Sequence, residues 1–113
     1  MFKLIRDKIP ELTKKSGNIC NYAKVESPEL FAGLLRSKLI EEVNEYLASG
    51  TVDELVDIIT VIKVILKANN ISEEDFDKLY KNKLDTKGGF EKQYIGFYPD
   101  APVATAREES EDK

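Results

Sequence analysis

The stretch "KLIEEVNEYLASGTVDELVDI", residues 38–58, sets two pairs of acids on either side of a glycine. Apolar residues recur at helical spacing before and after Gly50. Gly50 reads as a left-handed helix stop and Thr51 as the start of another helix. Glu42 and Glu45 are three apart, and so are Glu54 and Asp57, so each pair shares one helix face.

On a wheel at about 100° per residue, Phe31, Leu34, Leu35 and Leu39 form the apolar arc of the first helix. Lys38, Glu42 and Glu45 fall within or beside that arc, and Glu41 at its edge. Acids are seldom turned toward a core unless something offsets their desolvation. In the second helix Leu55, Ile59, Ile62 and Leu66 make one stripe. Glu54, Asp57 and Val61 lie roughly opposite, so this helix is expected to pack on two sides. Counted from Gly50, Glu45 and Glu54 are five and four residues away, and Glu42 and Asp57 eight and seven. At about 1.5 Å per residue, an antiparallel pair sets them at matching heights. Four converging carboxylates need a counter-charge. Oxygen ligands alone suit a hard cation, Mg²⁺ with substrate phosphates completing its shell, or Mn²⁺. Either acidic pair alone reads as a solvated face, and Glu54 fits a capping box with Thr51. The combination of inward phase, matched depth and an apolar second helix favours the cluster.

The flanks read as follows. Residues 3–16 suggest a short extended start and a short helix, capped by Asp7, with Pro10 in its first turn and Gly17 and Asn18 after it. Residues 18–26 read as a connection or short strand. Ser27, Pro28 and Glu29 open the helix over residues 28–49. The helix after Thr51 ends at Asn69 and Asn70. Ser72 caps a last helix, which Gly88 and Gly89 stop. Residues 90–98, "FEKQYIGFY", have a strand-like flavour. The acidic, proline-containing residues 99–113 read as a mobile tail on a single domain, residues 1–98.

The chain has 113 residues, net charge −4, one cysteine and no histidine. The negative balance argues against a protein that coats nucleic acid. Cys20 has no partner for an internal disulfide and reads as a packing residue. The absence of histidine excludes His-assisted nucleophilic catalysis and His-ligated zinc. The opening "MFKLIRDKIPEL" has no apolar run long enough for a signal peptide or membrane span, so a cytoplasmic protein is expected.

"EEVNE" at 41–45 followed by "ELVD" at 54–57 resembles the EExxE…ExxD signature of the all-α nucleoside triphosphate pyrophosphohydrolases, the MazG-like and phosphoribosyl-ATP pyrophosphohydrolase-like proteins. "KLIRDKIPEL" resembles the opening of a MazG-like subgroup, and "KGGFEKQY" its ending. The likeness extends to about residue 98. It implies an all-α bundle built on an antiparallel hairpin, with short extended terminal segments, assembled as a homodimer or homotetramer. It also implies Mg²⁺-dependent cleavage of an NTP or dNTP between the α- and β-phosphates, giving a monophosphate and pyrophosphate. Glu42, Glu45, Glu54 and Asp57 are then the metal ligands, and Glu41 matches the first acid of the signature. Glu41 or Glu42 would take the proton from water. The hairpin loop is short, as in compact members. The residues after Asp57, "IITVIK", do not clearly supply the polar groups some relatives carry there.

A triphosphate also needs cations. Lys38 can reach phosphates or pair with a ligand acid. Arg6 and Lys8 belong to the family-like opening, and a guanidinium grips phosphate with two teeth; ordinary surface charge is their other reading. Lys87 precedes the flexible Gly88 and Gly89, and Phe90 can stack on a base or anchor packing. Tyr22, Tyr80 and Tyr94 read as packing residues, and Asn44 and Asp53 as surface ones. A helical protein that binds nucleotide without turnover, or a partner protein whose acids form salt bridges, would carry the same pattern.

Overall fold

A computed structural model describes residues 2–97. Four helices follow one another: α1 (Ile9–Lys15), α2 (Pro28–Ser49), α3 (Val52–Ala68) and α4 (Glu73–Lys87). Among the described residues there is no strand, so the chain is all-α. Residues 99–113, read as a tail, lie outside the described residues. The chain divides into two compact units, one ending at Leu79 and the other beginning at Tyr80 within α4.

In the first unit the helix boundaries follow local chemistry. Ser27 Oγ accepts from Leu30 N–H at 3.1 Å, and Pro28 occupies the first turn of α2. Gly50 ends α2 at φ 67°, and its N–H reaches the Tyr46 carbonyl at 2.7 Å. That left-handed position favours glycine. Ser72 Oγ accepts from Asp75 N–H at 3.0 Å and opens α4. α1 closes with paired bonds from Gly17 N–H to Lys14 O and from Asn18 N–H to Thr13 O, both 3.0 Å.

Two expected caps differ. Lys8, not Asp7, precedes α1, and no side chain caps that end. Pro10 already supplies the fixed φ, and its missing N–H removes one orphan donor. Thr51 precedes α3 without a side-chain cap; its N–H and hydroxyl both meet Ser49 Oγ. The Thr51–Glu54 capping box is not formed, which leaves the Glu54 carboxylate for another role.

α2 and α3 pack against each other. Their shared core is small: Leu35, Val61 and Leu66 are its buried apolar residues, joined by one buried acid, Glu42. The buried side of α2 follows the expected arc, with Phe31, Leu34, Lys38 and Leu39 half-buried around Leu35 and Glu42. On α3 the acid side packs, and from the apolar stripe Ile62 and Leu66 are covered as well. Glu54, Asp57 and Ile58 are half-buried beside Val61, whereas Leu55 and Ile59 are 41% and 51% exposed.

In the second unit, α4 continues from Tyr80 to Lys87 and Gly88 follows at φ 81°. Residues 90–93 then form a turn, with Gln93 N–H on the Phe90 carbonyl at 3.1 Å. The strand-like reading of residues 90–98 fails over the described part. A strand needs a neighbour to satisfy its backbone, and no ladder forms among the described residues.

Candidate metal centre

The site starts from Glu42, in the middle of α2 and 6% exposed. Lys38 lies one turn earlier on the same face. Its Nζ sits 3.4 Å from Glu42 Oε2 and 3.2 Å from Glu41 Oε2. Lys38 therefore pairs with the acids, one of the two roles open to it on sequence. The second oxygen, Glu42 Oε1, is buried and has no hydrogen-bond partner; Glu54 Oε2 is in the same condition. Buried polar oxygens without partners are rare, because each forfeits its hydration.

The acids form two groups that share Glu42. Oxygens of Glu41, Glu42 and Glu45 lie within 4.8 Å of one another, and so do oxygens of Glu42, Glu54 and Asp57. The two halves of the opening stretch therefore meet. Glu45 departs from expectation in one respect: it is exposed rather than turned into the core. It is near the end of α2, where the helix pair has less to cover it. Its charge still acts on both Glu42 and Glu54.

Electrostatics follow this crowding. Burial pushes the Glu42 carboxyl above the usual carboxylate range, and the Glu45 and Asp57 charges add to the push against the opposing pull of Lys38. Desolvation raises Glu54 as well, reinforced by Glu45, Asp57 and Glu42. Glu41 goes the other way. Desolvation raises it, but the hydrogen bond and charge of Lys38, with Lys3 behind it, outweigh that and hold it below its ordinary value. Two acids thus resist ionising, and one is fixed in its ionised form.

Two cations arrive from the N-terminal segment. Lys3 Nζ lies 3.5 Å from Glu41 Oε2. Arg6 Nη2 donates to Asp57 Oδ1 at 2.5 Å and to Thr60 Oγ1 at 3.3 Å. Arg6, expected to bind phosphate, is paired with Asp57 beside the acids. Lys3 and Thr60 were not singled out from the sequence. Thr60 had a signal, its position three residues after Asp57; Lys3 had none, because the segment that carries it has no periodicity.

Lys8 is exposed at the start of α1. Lys87 and Phe90 belong to the second unit, where Lys87 ends α4 and Phe90 is 93% exposed. A hollow of about 1230 Å³ lies between residues 2–5, residues 20–28, the first half of α2 and the end of α3; it includes Lys3 but none of the five acids. Its size is that of an open cleft, so the chemistry is placed by the charged groups and not by the hollow.

The carboxylates fit a hard divalent cation. They offer oxygen donors only, at least two of which are buried without partners, and burial, reinforced by the neighbouring acids, raises the proton affinity of Glu42 and Glu54. No helix among the described residues is long and apolar enough to cross a membrane. No family model matches this chain, and neither a curated protein nor a solved structure matches it.

Proposed function

We propose that the chain is a MazG-like nucleoside triphosphate pyrophosphohydrolase, a hydrolase acting on acid anhydrides, with α2 and α3 as its antiparallel hairpin. The observation that carries this reading is Glu42: a buried carboxylate with one unpartnered oxygen, grouped with Glu54, which has an unpartnered oxygen as well. Glu42, Glu45, Glu54 and Asp57 would hold Mg²⁺, or Mn²⁺ in its place. The ion would neutralise phosphate oxygens and make water more acidic.

The chain's own groups divide the remaining work. Glu41 or Glu42 would take the proton from water. Glu41, clamped by Lys38 and Lys3, anchors those cations near the acids. Lys38 keeps Glu42 in place, while Arg6 and Lys8 would supply positive charge for the phosphates.

The same reading includes assembly as a homodimer or homotetramer in the cytoplasm. The open Leu55 and Ile59 face of α3 and the thin core support it, since a chain of this size gains much from burying apolar surface against a copy. A nucleotide binder without turnover is the second reading, favoured by the two lysines that tie down Glu41.

The test is incubation with a panel of NTPs and dNTPs plus Mg²⁺, followed by product chromatography. A monophosphate and pyrophosphate in equal amounts support hydrolysis. Retention of nucleotide without products supports the binder. A diphosphate with inorganic phosphate contradicts the proposed bond cleavage.

A further inference from the structure

Arg6 is held on α3 by two acceptors one turn apart, Asp57 Oδ1 and Thr60 Oγ1. Thr60 donates its own hydroxyl proton to the Val56 carbonyl at 2.8 Å, which turns an oxygen lone pair toward the guanidinium. Yet the Arg6 side chain is 53% exposed and its backbone, in residues 2–6, has no regular secondary structure. An ion pair that exposed is easily exchanged.

The charges around the centre do not balance. Five carboxylates, Glu41, Glu42, Glu45, Glu54 and Asp57, meet three paired cations, Lys3, Arg6 and Lys38, among the described residues. Two negative charges are left over, the charge of one divalent ion. The leftover is localised. The buried unpartnered oxygens belong to Glu42 and Glu54, and the third member of their group is Asp57. Glu42 is more than nine-tenths buried and aimed into that group. Arg6 therefore stands on the one corner of the group that a cation would share with it.

We propose that Arg6 is an exchangeable counter-ion: it holds Asp57 until a divalent cation binds at Glu42, Glu54 and Asp57, and then transfers to the phosphate oxygens of the substrate. This rests on the metal reading above and adds a coupling to it. The cation releases the guanidinium, and the released guanidinium has the planar geometry to take two phosphate oxygens at once. Cation and phosphate loading then favour each other reciprocally.

Guanidinium ¹⁵N spectra of the full chain test this, with Mg²⁺ added alone and then with inorganic pyrophosphate. Arg36, exposed on α2, is the internal reference. On adding Mg²⁺, the Arg6 resonance should move toward that of a freely rotating guanidinium, with the same midpoint as the amide shifts of Glu54 and Asp57. Pyrophosphate should then restrict Arg6 again. Arg6→Gln should bind Mg²⁺ roughly tenfold more tightly, because a positive neighbour is gone. If the amides respond to Mg²⁺ while Arg6 stays fixed, or Arg6→Gln binds Mg²⁺ no better, the exchange is overturned and the metal site stands. If Mg²⁺ moves neither, the metal reading falls and the exchange with it.

Discussion

Lys38 Nζ lies 3.4 Å from one oxygen of Glu42, and the other oxygen of that buried carboxylate meets no partner. One cation is thus shared between Glu41 and Glu42, which leaves the deepest acid half-compensated. A buried charge in that condition costs stability unless a further positive group arrives.

Glu42→Gln should therefore stabilise the metal-free protein, by about 1 kcal/mol, because it removes the charge and keeps the shape. Lys38 retains Glu41. Urea unfolding in the presence of a chelator checks this; a loss of stability of similar size would show that the carboxylate is compensated.

Lys38→Met should act oppositely. It leaves Glu42 buried beside four other acids, and a cost of about 3 kcal/mol is expected. Part of the loss should be recovered as pH falls, because Glu42, with its raised proton affinity, takes up a proton more readily than an ordinary carboxylate. Unfolding curves at pH 7 and pH 5 measure both effects.

The pH dependence has a definite sign. Glu42 and Glu54 have raised affinity for protons in the folded chain, against a reference value of 4.5. Above that value the unfolded chain has released protons that the folded chain still holds, so their contribution to stability falls as pH rises toward neutrality. Glu41 is lowered from 4.5, so its contribution is present above that pH and lost as pH falls below it. Metal-free protein should be most stable at mildly acidic pH. Saturating Mg²⁺ should remove the decline toward pH 7. Urea midpoints across pH 3–8, with and without Mg²⁺, give the comparison.

Gly50→Ala tests the turn that brings the two acid pairs together. A Cβ there meets no atom within 4 Å, so the penalty comes from φ 67° alone. About 1 kcal/mol of destabilisation is expected, without change in metal affinity. Thermal unfolding and a Mg²⁺ titration of the variant read the two quantities.

Much of this arrangement was legible in the sequence because it rests on local chemistry. Ser27, Pro28, Gly50 and Ser72 mark helix ends through bonds made within a few residues. Glu42, Glu54 and Asp57 were found because helical phase and depth are properties of the sequence itself. The departures came where distant or competing partners decide. Residues 90–98 carry strand-forming residues, but no neighbouring strand pairs with their described part. Thr51 and Glu54 have capping-box spacing, yet Ser49 takes the Thr51 N–H. The N-terminal segment brought Lys3 and placed Arg6 on Asp57, a contact across fifty-one residues that no periodicity announces.

A Mn²⁺ titration followed by electron paramagnetic resonance, with wild-type protein and Glu42→Gln at pH 7 and no nucleotide present, tests the carboxylate centre most directly. Wild type should bind one Mn²⁺ per chain, and Glu42→Gln should bind at least about 100-fold more weakly while remaining folded. Equal binding by both proteins, or none by wild type, would contradict a divalent-cation centre at these carboxylates.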